Sequence, residues 1–104
     1  MMRWMRCYWN EEDTWFFFEV DADGWVTRQV ELRGPGRTPL AAASLREWQR
    51  ARDAGTLAEY EKEYGLTAGS PVSEWEGHDP ERLTQEEFDD VWDHARQGIA
   101  ARLR

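Results

Sequence analysis

Alternation of apolar and polar residues in the first third of the chain predicts three short β-strands. The three predicted strands are Arg3–Trp9, Trp15–Val20 and Trp25–Leu32. Two polar segments, 10–14 and 21–24, separate them and have the composition of hairpin turns. Residues 1–33 are therefore predicted to form an antiparallel β-meander, and it is rich in aromatic residues.

Each predicted strand contributes to both faces of the sheet, because successive side chains point in opposite directions. One face is almost wholly apolar and is the predicted core: Met5, Cys7, Trp9, Phe16, Phe18, Val20, Val26, Val30 and Leu32. Arg28 is an anomaly on this face, because arginine is rarely buried without a partner. We expect Arg28 to form a structural ion pair, with an anion-binding site as the alternative.

The opposite face carries a second set of aromatic residues, mixed with polar ones. We name this set the aromatic wall. It comprises five aromatic residues and two charged residues that would orient a ligand: Trp4, Arg6, Tyr8, Trp15, Phe17, Glu19 and Trp25. The wall is the candidate binding site, either for a flat ligand or for the anchor residues of a partner protein. The competing interpretations are that helices cover both faces of the sheet, or that the wall pairs with a second copy of the chain.

The remaining two thirds of the chain are predicted to be mainly helical. Residues 38–65 form a helical segment with helices at Leu45–Ala54 and Leu57–Tyr64, whereas residues 38–44 are either helix or a short extra strand. Residues 66–83 hold four Gly or Pro residues and are predicted to be a loop. Residues 84–104 form the clearest helix, with a capping box at Thr84 and apolar residues at helical spacing.

The expected fold is α+β, a single domain over residues 1–104. Three or four N-terminal strands pack against two or three helices, and the long C-terminal helix crosses the sheet. No apolar stretch approaches the roughly 20 residues that span a membrane, and no secretory signal follows the first residues. One cysteine cannot form an internal disulfide, so a cytoplasmic location is the default expectation.

The net charge of −8 is unevenly distributed. Residues 59–93 carry twelve acidic residues against Lys62 and Arg82, whereas the last eleven residues are basic. A field of this sign repels phosphate backbones, so nucleic-acid binding is disfavoured and a basic partner protein is favoured.

Residues with catalytic or metal-binding chemistry are few. The His78-Asp79 and Asp93-His94 neighbours and Cys7 show no spacing typical of catalysis or metal ligation, and His94 is expected to pair with Asp90 on a helix surface. Asp21-Ala22-Asp23-Gly24 lacks the later ligands of a calcium loop. We therefore name no catalytic residues, no metal and no cofactor, and the sequence favours a non-enzymatic role without deciding whether the chain is an enzyme.

Two motifs resemble those of a family of small bacterial domains of unknown function. The first is a D-x-D-G-x-x-x-R-x-V-E hairpin at residues 21–31, and the second is a closing T-x-x-E-F-x-x-x-W helix at residues 84–92. The resemblance covers about half of the chain and leaves out residues 38–80. It implies an architecture and carries no catalytic role.

These patterns favour an interaction module that binds a partner protein through the aromatic wall, the acidic 59–93 region, or both. One specific form is an immunity- or antitoxin-like inhibitor of a basic toxin. The alternative is a small-molecule binding protein, or a minor enzyme, with the aromatic wall as its pocket. A homodimer joined through the wall is a third form.

Overall fold

The computed structural model describes residues 1–72 and 80–102 and confirms the predicted α+β class. A five-stranded antiparallel sheet has the order β4-β3-β2-β1-β5, and three helices pack against it. In chain order the elements are β1 (Arg3–Trp9), β2 (Thr14–Val20), β3 (Val26–Arg33), β4 (Thr38–Ser44), α1 (Leu45–Ala54), α2 (Leu57–Tyr64), β5 (Glu81–Leu83) and α3 (Gln85–Arg102).

Strands occur in two segments outside the predicted meander. Residues 38–44, for which helix and a short extra strand were the alternatives, form β4, which pairs with β3 along its length and ends where the Ser44 hydroxyl accepts a hydrogen bond from the Glu47 amide to cap α1. The predicted loop 66–83 ends in β5, which pairs with Trp4–Arg6 of β1. A three-residue strand is too short to leave an alternating pattern in the sequence.

A β-bulge at Thr27 divides β3 into two parts that face opposite ways. Glu19 pairs with Arg28 and Val20 pairs with Val26, so Thr27 is the extra residue. Beyond the bulge every side chain moves to the other face. The predicted core face is therefore wrong for Val30 and Leu32, which lie on the same face as Phe17.

The helix α3 covers the face of the sheet that carries most of the aromatic wall. We name this face of the sheet the helix face. Its buried cluster is Phe17, Val30, Leu32, Ala42, Phe88, Ala95 and Ile99. The expectation that the long C-terminal helix crosses the sheet is confirmed. Among the helices of the described residues, none combines the length and the apolar character needed to cross a membrane.

The opposite face, here named the back face, is covered by the chain segment that follows α2. Gly65 has a φ of +85°, and a Cβ there would lie 2.7 Å from the Ala41 Cβ, so this close crossing of β4 requires glycine. The Ala68 amide then donates to Gln29 Oε1 at 2.8 Å, and the Val72 amide donates to the Gly24 carbonyl at 2.8 Å. The buried cluster under this segment is Met5, Phe18, Val20, Val26 and Val72.

Gly98 shows why a residue that is unfavourable in a helix is needed in α3. A Cβ at position 98 would lie 2.9 Å from Cγ of Pro39, a rigid ring on β4. We expect Gly98→Ala to lower the free energy of unfolding, although alanine is favoured by about 1 kcal/mol in a helix. Urea denaturation checks this, with Gln97→Ala on the exposed neighbouring position as the control. A more stable Gly98→Ala variant would contradict the close packing of α3 on β4.

Candidate interaction surface

The aromatic wall does not form one continuous exposed surface. Phe17 is buried, and Trp4 and Trp15 are half-buried and pack against the cluster beneath α3. Trp25 is 41% exposed, but it precedes β3 at the end of the sheet farthest from Tyr8. Of the seven predicted site residues, the structure therefore leaves Arg6, Tyr8 and part of Trp15 together at one end.

Glu19, another member of the wall, belongs to a half-buried ion cluster with Arg28. Arg28 donates through Nη2 to Glu19 Oε2 at 2.6 Å and to Asp89 Oδ1 of α3 at 2.8 Å. Burial raises the pKa of Glu19, but hydrogen bonds from Arg28, Trp4 and Thr27 outweigh it and hold this pKa below its ordinary value. The expected ion pair of Arg28 is confirmed, and it joins α3 to the sheet.

The exposed end of the helix face is occupied by a tight arrangement of charges and rings. The guanidinium carbons of Arg6 and Arg37 lie 4.7 and 5.6 Å from the Trp15 ring centroid, and the Tyr8 ring centroid lies 5.1 Å from it. The Tyr8 hydroxyl donates to Asp13 Oδ1 at 2.7 Å. Most of the Trp15 surface is therefore engaged within the protein.

A second polar cluster closes the outer edge of β4. Arg96 of α3 donates to the Ala42 carbonyl at 2.9 Å and pairs with Glu47, and Tyr60 accepts a hydrogen bond from the Ser44 amide at 2.9 Å. Burial, together with the hydrogen bond to the Glu47 carboxylate, raises the pKa of Tyr60 to about 12 against the opposing effect of Ser44. These contacts protect an edge that would otherwise pair with other chains.

The back face, although it was the predicted core, holds Trp9, the most exposed aromatic side chain of the described residues. Trp9 is 53% exposed, and its ring centroid lies 6.1 Å from that of Phe16. Cys7, Phe16 and Glu31 are direct partners in one row across β1, β2 and β3, and all three are half-buried. We name Cys7, Trp9, Phe16 and Glu31 the open patch. The predicted burial of Trp9 is wrong: the described part of the covering segment, 65–72, packs Val72 and Ala68 on the cluster around Met5 and Phe18, and Trp9 lies outside that cluster.

Glu31 is the residue of this patch with the most unusual surroundings. Its Oε2 accepts a hydrogen bond from Gln29 Nε2 at 3.1 Å, but no cationic group of the described residues forms an ion pair with it. Arg33, two positions along the strand, contacts Glu12 instead, at 4.0 Å. Burial, with the charge of Glu12, raises the pKa of Glu31, whereas Gln29 and Arg33 act in the opposite direction.

We expect Glu31→Gln to increase the free energy of unfolding at pH 7. A pKa raised by folding means that the folded state favours the protonated carboxyl, so stability is lost as pH rises through that pKa. Glutamine removes this cost, and the gain should vanish below pH of about 4, where glutamate is protonated in both states. Urea denaturation at both pH values checks it, with Glu59→Gln on exposed α2 as the control. Equal or lower stability of Glu31→Gln at pH 7 would contradict the burial of this charge.

Sequence patterns place Glu31 on the wrong face, because strict alternation takes no account of the bulge at Thr27. Arg28 carries a signal of this bulge. A strand in continuous alternation places the Arg28 charge among core residues, whereas a bulge before it brings Arg28 opposite Glu19. The anomaly therefore indicates a break in register.

Candidates for catalysis are not brought together in the described part of the chain. Cys7 is half-buried, and burial raises the pKa of its thiol. His94 is exposed on α3, and the expected pair with Asp90 is absent from the ion pairs of the described residues. No group of three or more metal-ligating side chains occurs within residues 1–72 and 80–102. The His78-Asp79 neighbours lie outside these ranges.

Comparison with protein-family models, curated proteins and solved structures finds no significant match to this chain. The resemblance carried by the hairpin and the closing helix stays a prediction.

Proposed function

We propose that the protein is a non-enzymatic interaction module that binds a basic partner protein through the open patch. The observation that carries the proposal is Trp9, which is 53% exposed and lies beside Phe16, the cross-strand partner of Glu31. Tryptophan is enriched among the residues that contribute most to protein–protein binding, since it buries a large rigid surface.

The charge of the chain supports a basic partner. The net charge is −8, and exposed acids on the first turns of α3, such as Glu86, Asp90 and Asp93, add to Glu11 and Glu12 at the tip of the β1–β2 hairpin. Complementary charge accelerates association and selects partners, whereas aromatic contacts supply much of the affinity. An immunity- or antitoxin-like inhibitor acting in the cytoplasm is the specific form that these features favour.

The alternative of a small-molecule pocket on the aromatic wall has less support. Phe17 and Trp4 pack beneath α3, and two guanidinium groups lie against the Trp15 ring. These contacts occupy the surface that a flat ligand would need.

Affinity capture from lysate of the native host, with mass spectrometry, tests the proposal. A stoichiometric basic protein should be retained at low salt by the wild type and lost at high salt, because salt screens exposed charges. Trp9→Ala should lose this partner, whereas Trp25→Ala, which removes another exposed tryptophan at the other end of the sheet, should retain it.

Two outcomes would contradict the proposal. Retention of the partner by Trp9→Ala at the wild-type level would remove the open patch as the contact surface. A wild-type chain that is dimeric in solution, and monomeric as Trp9→Ala, would instead assign the patch to a second copy.

A further inference from the structure

We propose that Glu31 and Phe16 together form a receptor for one arginine side chain of the partner protein. The inference rests on the proposed function and specifies the chemistry of its contact. It places the guanidinium against the Glu31 carboxylate and over the Phe16 ring, with Trp9 at the side.

The same arrangement of carboxylate, arginine and aromatic ring recurs within the described residues of this chain. Arg28 pairs with Glu19 and lies 4.8 Å from the Phe88 ring centroid. Arg96 pairs with Glu47 and lies 3.9 Å from the Tyr64 ring centroid, and Arg6 pairs with Glu81 and lies 4.7 Å from the Trp15 ring centroid. In each case a planar cation satisfies a carboxylate and stacks on a ring.

Glu31 and Phe16 supply the carboxylate and the aromatic ring of this arrangement, and the arginine is missing from the described residues around them. They are direct cross-strand partners between β3 and β2, so their Cβ atoms lie about 4.5–5.5 Å apart on one face. Gln29 donates to Oε2 of Glu31, and no described donor bonds to Oε1. No described arginine pairs with this carboxylate, and Glu31 and Phe16 are themselves half-buried.

Arginine fits the site better than lysine for two reasons. A guanidinium forms two parallel hydrogen bonds to a carboxylate, whereas an ammonium acts as a point charge. The planar group also stacks on Phe16 at low cost in hydration. The raised pKa of Glu31 agrees with a carboxylate that has no cation, since an arriving arginine would lower that pKa.

Titration of the ¹⁵N-labelled full chain with hexa-arginine, followed by NMR, tests the receptor. Shift changes should centre on Phe16, Glu31 and the Trp9 indole, and hexa-lysine should bind more weakly. Glu31→Gln should weaken hexa-arginine binding about tenfold or more, the value of a charge-assisted hydrogen bond. Glu86→Gln, which removes an equal charge from the exposed side of α3, should change the affinity for hexa-arginine less than about twofold. Because Glu31→Gln is expected to be more stable than the wild type, unfolding would not explain its loss of binding.

Failure of this inference is distinguishable from failure of the proposed function. Shift changes confined to the acids of α2 and α3, with no effect of Glu31→Gln, would overturn the arginine receptor. A natural partner captured through Trp9 but insensitive to Glu31→Gln would also overturn it and leave the interaction module standing. Binding of hexa-arginine at Glu31 without any natural partner would support the receptor and contradict the proposed function.

Discussion

Replacing Phe88 with alanine is expected to lower the free energy of unfolding by about 3–5 kcal/mol, the range for a large-to-small change in a core. Phe88 is fully buried in the cluster that α3 forms with Phe17 and Val30. The change would leave a cavity between α3 and the sheet. Urea denaturation followed by circular dichroism measures the loss.

Phe16→Ala is the matched control, because it makes the same chemical change on the open patch. Phe16 is half-buried, so we expect its substitution to cost less than half as much. An equal cost at the two positions would mean that the back face is buried as completely as the helix face. That result would contradict the identification of the open patch as an exposed surface.

Arg28→Met is expected to give the second large effect, a loss of about 2–3 kcal/mol. Removing one partner of a fully buried ion pair costs about 3–5 kcal/mol. The expected loss is smaller here because the Arg28 side chain is 22% exposed. The substitution leaves the Glu19 carboxylate beneath α3 without its cation. Arg6→Met is the control, since its pair with Glu81 is exposed and should contribute less than about 1 kcal/mol.

The loss in Arg28→Met should depend on pH. Folding lowers the pKa of Glu19, so the stability contributed by its ionised form is present above the ordinary glutamate pKa of about 4.3. It is lost as pH falls through the lower pKa of the folded state. The difference between wild type and Arg28→Met should therefore shrink in acid, and a constant difference from pH 7 to pH 3 would contradict the ion pair.

Local patterns were sufficient to predict most of the secondary structure. The bounds of β1, α1 and α2 coincide with those predicted from the sequence. At the start of α3 the Thr84 hydroxyl accepts from the Glu87 amide at 3.1 Å, and the Thr84 amide donates to Glu87 Oε1 at 2.9 Å. Thr56, with Glu59 three residues later, has the same sequence pattern but forms no such box, because its hydroxyl donates to the Ala51 carbonyl of the preceding helix.

The faces of the sheet were predicted less well, because they depend on register and on distant segments. The bulge at Thr27 reverses the second half of β3, and only the anomalous Arg28 indicates it in the sequence. β5 forms because residues far along the chain reach Trp4–Arg6 of β1. Neither the bulge at Thr27 nor the pairing of β5 with β1 leaves a periodic pattern in the sequence.

The candidate site in the structure differs from the one predicted from the sequence, because the faces of the sheet depend on register and on distant segments. The wall was predicted from alternation, but α3 covers Trp4 and Phe17. The opposite face was predicted to be the core, and the described part of the segment over it, residues 65–72, packs Ala68 and Val72 on the sheet cluster. Trp9 lies outside that cluster and is 53% exposed, and Phe16 is half-buried.

Trp9, on the back face that was predicted to be the core, is exposed, whereas α3 covers Trp4 and Phe17 of the aromatic wall. Broadening of the assigned tryptophan indole signals by a neutral gadolinium chelate tests this difference in exposure directly. Trp9 should broaden strongly, as should Trp25, whereas Trp4, whose indole donates to Glu19 Oε2 at 2.9 Å beneath α3, should be protected. Strong broadening of Trp4 together with protection of Trp9 would contradict the account.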